Sequence, residues 1–338
     1  MRTGLTLGLF LCTTTAWGLV VRSYDPGRHD RFSSGYPDSP VVNTNGYVDY
    51  YDFSGVGWHD ANPARSLTLI SPRHFVGATH FPPGVGATIT FHARDAQLRE
   101  YTVAAQHVLT NAAGQNVDLF VGELETAVTP CDHISFYPVL DLPSEADYQG
   151  EPIILYGRSA RAGSGTIGDF EDFPGEGSIG TTRTCRIHYM NAAGDGDDCH
   201  VESGDSGSPT FAMRDGTLFV VGTHSSVSSE PAVTISSDTF VPHYADQIRA
   251  ILLADGYPLA TNAMMAFRPC LTVEPVAPDA FSISWVGHRN RVYRLLAGTQ
   301  LPSFSALSPP LTSPVGQTTY VDSNATSRVR FYRLERLD

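Results

Sequence analysis

Short stretches of alternating apolar and polar residues dominate the chain, and long helical patterns are rare. Such alternation is typical of β-strands that bury one face. The pattern predicts strands at 66–70, 87–93, 98–109, 117–124, 151–157, 181–190 and 218–222. Residues 158–180 are rich in glycine and acidic residues and are predicted to form loops.

One segment has a helical pattern. Tyr244, Ile248 and Leu252 recur at helical spacing, and Gly256 follows them. We therefore predict a helix at about 242–254. Together with 31 glycines and 23 prolines, this balance of strands and helix predicts an all-β fold.

The first 18 residues have the features of a secretory signal peptide. A basic start at Arg2, an apolar run at 5–12 and the small-residue end Ala-Trp-Gly follow one another. We expect cleavage after Gly18 and a mature chain that begins at Leu19. The protein is therefore predicted to be secreted, periplasmic or at the cell surface.

Charge narrows the choice of partners. The net charge of the chain is -13, and removal of the signal peptide with Arg2 lowers it to about -14. An acidic surface disfavours nucleic acid and anionic membranes. No later stretch is long and apolar enough for a transmembrane anchor. The expected partner is a protein or peptide substrate, and the sequence carries no signal for the oligomeric state.

Four cysteines remain after the signal peptide: Cys131, Cys185, Cys199 and Cys270. An even number in an exported chain predicts two disulfides, for which three connectivities exist. Neither a CxxC motif nor metal-ligand spacing occurs, so no metal and no cofactor is predicted. The acidic run at 195–198 has the composition of a calcium loop, but a solvated loop is the favoured interpretation.

Residues 202–209 read Glu-Ser-Gly-Asp-Ser-Gly-Ser-Pro and carry the main chemical signal of the chain. Glycines on both sides of a serine let the backbone approach a substrate carbonyl. Ser206 is the candidate nucleophile, and the N–H groups of Gly204 and Ser206 form a candidate oxyanion hole. The alternative is an ordinary surface turn of the same composition.

This octapeptide resembles the nucleophile loop of the trypsin/chymotrypsin-like serine proteases. Residues 71–81, Ser-Pro-Arg-His-Phe-Val-Gly-Ala-Thr-His-Phe, resemble the family's strand that ends in Ala-Ala-His, which makes His80 the general base. Residues 116–121, Asn-Val-Asp-Leu-Phe-Val, resemble its Asp-Ile-Ala-Leu stretch. Asp118 would then accept the His80 Nδ1–H; a solvent-facing aspartate at a strand start is the alternative.

The resemblance implies a fold and a domain organisation. It implies two six-stranded antiparallel β-barrels, at about 40–128 and 149–240, with the active site between them and one C-terminal helix after them. The protease domain would span 19–269. Residues 271–338 form short alternating strands and resemble a small fibronectin-type β-sandwich. Arginines alternate with aromatics on its last strand, and a solvated face is favoured over a surface-binding one.

The resemblance also implies the disulfide pairing. In the family the C-terminal helix packs near the linker between the barrels, so Cys131–Cys270 is the expected pair. Cys185–Cys199 would then close a short loop beside the catalytic turn. The chain departs from many relatives at Phe81, where they carry a cysteine.

The partner of Asp205 is open at this stage. In active relatives the matching aspartate pairs with a new N-terminal amine that propeptide cleavage forms. The chain has no Arg-Ile-Val-Gly-Gly activation site, although signal removal would expose Leu19-Val20-Val21.

Four residues are candidates for substrate binding: His200, Ser203, His224 and Ser225. His200 stands at the pocket floor, where trypsin-like enzymes carry an aspartate, so cleavage after Lys or Arg is not expected. His224 before Ser225, together with Ser203, is similar to the glutamyl endopeptidases and predicts a preference for acidic residues on the acyl side. The alternative is that His224 is hydrogen-bonded within the second barrel.

These features predict a secreted serine endopeptidase that works through His80, Asp118 and Ser206 and an acyl-enzyme. The alternative is a catalytically inactive binding or adhesion protein on a protease fold. The presence of all three residues argues against it. An esterase of the Gly-x-Ser-x-Gly type has its histidine last in the chain, which does not match the order here.

Overall fold

Two closed antiparallel β-barrels form the centre of the molecule, which confirms the all-β prediction. The structure is a computed structural model that describes residues 18–262, 269–314, 316–325 and 329–337. Apart from Gly18, the predicted signal peptide lies outside the described residues. No helix in the described ranges is long and apolar enough to cross a membrane.

An N-terminal arm precedes the first barrel and contacts both barrels. Arg31 is buried in it and donates to the His92 carbonyl of the first barrel at 2.9 Å and to the Tyr156 hydroxyl of the second at 3.3 Å. The arm contains β1 (Val20–Val21), α1 (Pro26–His29), β2 (Phe32–Ser34), β3 (Val41–Val42) and a 3-10 helix (Val48–Tyr50).

The first barrel closes in the strand order β4-β5-β6-β9-β8-β7. Its strands alternate as the sequence predicted, and apolar side chains such as Leu67, Phe75 and Phe91 fill the interior. The strands are β4 (Val56–His59), β5 (Asn62–Leu69), β6 (His74–Gly77), β7 (Thr88–His92), β8 (Leu98–Thr110) and β9 (Asn116–Leu124).

The second barrel closes in the order β10-β11-β12-β16-β15-β14, and 3-10 helices at Pro130–Asp132 and Glu145–Asp147 lie in the linker before it. A short strand, β13, lies outside this barrel and pairs with β1. The beginning of the arm therefore lies beside the segment that leads into the nucleophile loop. The strands are β10 (Pro152–Gly157), β11 (Arg161–Phe173), β12 (Thr182–Met190), β13 (Cys199–His200), β14 (Pro209–Arg214), β15 (Thr217–Ser229) and β16 (Val233–Phe240).

The prediction of loops at 158–180 was wrong, because β11 occupies much of this range. Its acidic residues face arginines across the strand pair: Arg186 bonds Asp169 at 2.6 Å and Glu171 at 3.1 Å. Cross-strand ion pairs of this kind stabilise a polar sheet face that a hydrophobic pattern cannot reveal.

The predicted helix is present as α2 (Ala245–Ala254), and a 3-10 helix at Val241–Tyr244 leads into it. Ile248 and Leu252 are buried on one face of α2, as the helical spacing required. The helix packs on the core that the two barrels share.

One of the two predicted disulfides is confirmed. Cys131 and Cys270 are bonded, and they tie the linker between the barrels to the segment after α2. Cys185 and Cys199 are both free and buried, so the Cys185–Cys199 prediction was wrong. Cys185 lies opposite Asp238 in the strand register, and the Cys199 sulfur packs against Gly163.

Two small sheets follow Cys270 and face each other. Ile283 and Trp285 of one sheet pack against Tyr293, Leu295 and Leu334 of the other. The sheets have the orders β17-β18-β22 and β20-β19-β21, with β23 on β19. Their strands are β17 (Thr272–Ala277), β18 (Ala280–Val286), β19 (Val292–Gly298), β20 (Ser305–Ala306), β21 (Leu311–Thr312), β22 (Gln317–Asp322) and β23 (Phe331–Arg336).

This C-terminal pair of sheets docks on the arm through a polar contact between His288 and Asp52. His288 Nε2 lies 3.3 Å from Asp52 Oδ2, and Arg94 reaches the same oxygen at 3.5 Å. Burial lowers the pKa of His288 to about 4, so its ring is neutral near pH 7. Arg289 adds an ion pair with Asp49.

The free thiols give a direct test of the corrected disulfide pattern. Burial raises the pKa of both Cys185 and Cys199 well above the usual 9.0, and neither thiol reaches solvent. In a chain that begins at Leu19, we expect no reaction with Ellman's reagent in the folded state. After unfolding without reductant, the two free thiols, Cys185 and Cys199, should react. Reduction before unfolding is the control and should release the Cys131 and Cys270 thiols as well; an unfolded, unreduced chain that does not react would contradict the structure.

Candidate active site

Strand register brings His80 and Asp118 together. In the antiparallel pair β6·β9, Gly77 lies opposite Phe120. His80 follows Gly77 by three residues, and Asp118 precedes Phe120 by two, so both emerge at the same end of the first barrel. A turn closed by Phe81 N–H and the Ala78 carbonyl presents the His80 ring toward the cleft.

The His80 ring connects Asp118 to Ser206. Its Nδ1 lies 2.9 Å and 2.8 Å from the two Asp118 carboxylate oxygens, and its Nε2 lies 2.7 Å from Ser206 Oγ. A carboxylate only accepts, so Nδ1 carries the proton and Nε2 accepts from the serine hydroxyl. The hydrogen bond to Asp118 raises the pKa of His80 above its usual 6.5, against the effect of burial.

Asp118 is buried, with 4% of its surface exposed, and is held from both barrels. The His80 backbone N–H donates to its Oδ1 at 3.0 Å, and Ser225 Oγ of the second barrel donates to its Oδ2 at 2.5 Å. Burial alone would raise the pKa of Asp118, but these hydrogen bonds keep it below the usual 3.8. The carboxylate is therefore ionised at neutral pH.

The nucleophile loop approaches the first barrel closely. Gly207 has φ +83°, and a Cβ added there would lie 3.0 Å from the Ser66 carbonyl oxygen and 3.2 Å from the Ala78 nitrogen. A side chain at this position would push the loop away from His80. Glycine at 207 thus allows the short distance between Ser206 and His80.

The predicted oxyanion donors are available. Within the described part of the chain, the backbone N–H groups of Gly204 and Ser206 have no protein acceptor, whereas those of Asp205, Gly207 and Ser208 do. Gly204 has φ +97°, a conformation that favours glycine. The two free N–H groups, one before and one after Asp205, can both donate to a single anionic oxygen.

Asp205 points away from the cleft into the second barrel, with no exposed surface. Its carboxylate accepts the backbone N–H groups of Glu202 at 2.8 Å and Arg158 at 3.0 Å. Burial raises the pKa of Asp205 above the usual 3.8. Leu19 is buried nearby: a Cβ added at Gly157 would lie 2.7 Å from Asp205 Oδ1 and 3.2 Å from the Leu19 nitrogen.

The four predicted substrate residues have different surroundings. Ser203 is exposed, and His200 is partly exposed beside Tyr189, with Nδ1 3.7 Å from Glu202 Oε1. His224 is buried at 1% exposure and is hydrogen-bonded within the second barrel, which is the alternative that the sequence left open. Ser225 donates its hydroxyl to Asp118. His224 and Ser225 therefore do not present their side chains to a substrate.

The acidic run at 195–198 is held by protein groups. Asp197 binds Arg28 at 2.5 Å and the buried His29 Nε2 at 3.0 Å, which ties the run to the N-terminal arm. Asp198 Oδ2 accepts the backbone N–H of Asp195 at 2.7 Å. These contacts describe a structural loop.

Another set of metal-type ligands lies at the end of α2. Atoms of His74, Glu123 and Asp255 are within 4.8 Å of one another. However, Ser71 Oγ accepts two backbone N–H groups, from Arg73 at 3.1 Å and His74 at 2.9 Å, so its own proton goes to His74 Nδ1 at 2.8 Å. The imidazole proton then sits on Nε2 and faces Asp255 at 3.2 Å.

A metal ion at this place would have to displace that proton. It would also meet the Arg73 guanidinium, which lies 3.5 Å from both carboxylates. We interpret the cluster as an ion-pair network that fastens α2 to the first barrel.

Three residues beside the site were missed by sequence reasoning. Thr182 accepts the Asp118 backbone N–H at 3.0 Å, and Thr239 donates to the Asp118 carbonyl at 2.9 Å. Asp238 bonds His224 Nδ1 at 2.8 Å. The available signal for Asp238 and Thr239 was the polar run at 236–239, because so many polar residues on a barrel strand need buried partners.

No family model matches the chain, and no curated protein matches it. Among solved structures, human heparin binding protein is similar at 17% identity and a TM-score of 0.45, over 62% of this chain and 96% of that one. An atomic-resolution structure named HBP gives 16% identity and a TM-score of 0.44, over 62% and 96%. A likeness at this level says nothing about activity or ligands.

Proposed function

We propose that this protein is an exported serine endopeptidase that uses His80, Asp118 and Ser206. The observation that supports the proposal best is the chain of hydrogen bonds from Asp118 through His80 to Ser206 Oγ. His80 keeps 36% of its side chain exposed at the cleft, so a substrate can reach the nucleophile. The free N–H groups of Gly204 and Ser206 supply the complementary oxyanion site.

The mechanism follows the general template for a serine, histidine and aspartate. Ser206 Oγ attacks the peptide carbonyl carbon while His80 Nε2 takes the hydroxyl proton. Asp118 stabilises the resulting imidazolium, and the N–H groups of Gly204 and Ser206 bind the anionic oxygen. His80 then protonates the leaving amine, an acyl-enzyme remains, and water releases it with His80 again as the base.

The preference for acidic residues on the acyl side remains part of this proposal. With His224 and Ser225 engaged inside the protein, His200 and Ser203 are left to meet a substrate carboxylate. Glu202 beside His200 would repel the same substrate carboxylate. The preference therefore depends on the hydrogen bonds that His200 and Ser203 donate to that carboxylate.

We expect a fluorophosphonate probe to label the chain that begins at Leu19, at Ser206. Ser206→Ala should abolish labelling, and His80→Ala should slow it roughly 10⁴-fold, because the serine loses its base. Labelling followed by mass spectrometry of the modified peptide measures both effects. Ser34→Ala, at an exposed serine of β2 in the N-terminal arm, is the control and should label normally.

The pH dependence of labelling tests the role of Asp118. His80 must be unprotonated to act, so the rate should fall as the pH drops through a pKa above 6.5. In Asp118→Asn the hydrogen bond that raises this pKa is lost, so the midpoint should move to lower pH and the plateau rate should fall. Absence of labelling in a folded wild-type chain at every pH would instead favour the binding protein without catalysis.

We propose that the α-amine of Leu19 pairs with Asp205 once residues 1–18 are removed. Leaving a buried carboxylate without a cation is costly, so a chain that begins at Gly18 should label about 100-fold more slowly than one that begins at Leu19. Asp205→Asn is the control and should make the rate insensitive to the extra glycine. Equal labelling of the Gly18 and Leu19 chains would rule out the pairing.

Cleavage of a peptide library measures the acidic preference. We expect Glu and Asp to be enriched on the acyl side of the cut sites, because the side chains of His200 and Ser203 can donate hydrogen bonds to a carboxylate. His200→Ala should remove the enrichment while other cuts continue. A library without acidic enrichment would refute this part of the proposal.

A further inference from the structure

A buried histidine–aspartate pair lies directly behind the nucleophile loop. His224 on β15 and Asp238 on β16 are opposite each other in the strand register. Their exposed fractions are 1% and 0%. The proposed reaction does not use either side chain, and a buried ionisable pair without a role is costly to keep.

The contacts of the His224 ring fix its protonation state. Nδ1 lies 2.8 Å from Asp238 Oδ1, and Nε2 lies 3.1 Å from the Tyr156 carbonyl oxygen. Both partners accept hydrogen bonds and cannot donate them. Both ring nitrogens must therefore carry protons, which makes the ring a buried imidazolium. The second Asp238 oxygen accepts the Thr210 hydroxyl, so both carboxylate oxygens of Asp238 have a hydrogen-bond partner.

The surroundings agree with a cation at this position. Burial disfavours the charged ring, but Asp238 on β16 outweighs it, and Asp205 in the nucleophile loop adds a second negative charge, so the pKa of His224 lies above 6.5. The thiols of Cys185 on β12 and Cys199 on β13 are neutral because burial raises their pKa. Among the groups that lower the pKa of Asp205, His224 has the largest effect.

The backbone of His224 supports the nucleophile loop. Its N–H donates to the Ser208 carbonyl at 2.9 Å, and its carbonyl accepts the Gly207 N–H at 2.9 Å. These two hydrogen bonds hold the residues that directly follow Ser206. A shift of His224 along β15 would therefore move the nucleophile.

The next residue on β15 connects the same pair to the other side of the site. Ser225 Oγ donates to Asp118 Oδ2 at 2.5 Å, and a bulge between His224 and Ser226 sets its direction. His224 is thus one residue away from the donor that orients Asp118.

We propose that His224 is a permanently protonated positioning residue, clamped by Asp238 and the Tyr156 carbonyl, that fixes the nucleophile loop and Ser225 and faces Asp205 with a fixed positive charge. The effect of His224 on catalysis rests on the proposed function. The protonation of His224 and its clamping by Asp238 do not rest on that function, and they are measured separately.

Nitrogen-15 NMR of the histidine rings tests the protonation directly. In a chain labelled at histidine that begins at Leu19, we expect one ring with protons on both nitrogens at pH 8, where exposed histidines are neutral. The signal should be missing in the variant His224→Gln with Asp238→Asn, which assigns it. A His224 ring with one proton at pH 8 would overturn the proposal, whether or not the protein labels with the probe.

A double-mutant cycle tests the clamp. Asp238→Asn leaves the imidazolium without its counter-charge, and His224→Gln turns an amide oxygen or nitrogen toward a carboxylate. Each should lower the melting temperature by roughly 10 °C. The double variant restores a neutral network, in which Thr210 donates to Asn, Asn to Gln, and Gln to the Tyr156 carbonyl. It should regain much of the loss, and additive losses would contradict the clamp.

Probe labelling of the same variants tests the positioning role. Each single variant should label Ser206 at least about tenfold more slowly, and the double variant should recover part of that rate. The acid midpoint should move in the single variants, where Ser225 loses its alignment with Asp118, and return in the double. Unchanged rates in folded single variants would exclude positioning even if the melting cycle shows coupling.

A matched control is available on the same barrel. His188 Nε2 lies 3.4 Å from Asp169 Oδ2, with exposed fractions of 35% and 41%. Because an exposed pair contributes little, His188→Gln should change melting temperature and labelling only slightly. If the wild-type chain does not label at all, the proposed function fails, while the NMR spectrum and the melting cycle still decide the state of His224.

Discussion

The buried carboxylate of Asp118 is the interaction on which the arrangement of the two barrels depends. It belongs to β9 of the first barrel, yet Ser225 of the second barrel donates to its side chain, and Thr182 and Thr239 bond its backbone. A buried charge is tolerated only when such partners are complete. The two barrels that flank the His80 cleft are therefore held together by the hydrogen bonds that both of them make to Asp118.

The sequence predicted the three principal site residues because each lies in a local pattern that survives folding. His80 follows a strand, Asp118 interrupts an apolar strand, and Ser206 sits between glycines. The strand registers that bring them together are long-range, but the barrel fold implied by the resemblance supplied them. Local motifs plus a known topology were sufficient for this part of the molecule.

The errors share one physical origin, which is side-chain pairing across strands. The acidic residues of β11 led to the prediction of a loop, because the sequence does not show that Arg186 pairs with Asp169 and Glu171 across the strands. Cys185 and Cys199 are near in sequence, but each is a free thiol with different strand partners, Asp238 for Cys185 and Val21 for Cys199. The sequence left two interpretations of His224 open, a pocket residue or a residue bonded within the barrel, because its partner Asp238 is 14 residues away and on another strand. None of these pairings has a local signature.

The buried charges of the second barrel bear on the proposed pairing of Leu19 with Asp205. Asp205 and Asp238 are both without exposed surface; His224 bonds Asp238 and lowers the pKa of Asp205. The effect of burial is larger, so the pKa of Asp205 is raised. Arg158 lowers it from the partly exposed edge of the loop, which is a weaker place for compensation than the interior. The Leu19 nitrogen lies next to Gly157, as Asp205 does, so a free amine created there would supply a nearby cation. Because the hydroxyl of Ser206 and the N–H groups that flank Asp205 belong to the same loop, the proposed pairing of Leu19 with Asp205 would also fix the geometry of the proposed oxyanion site.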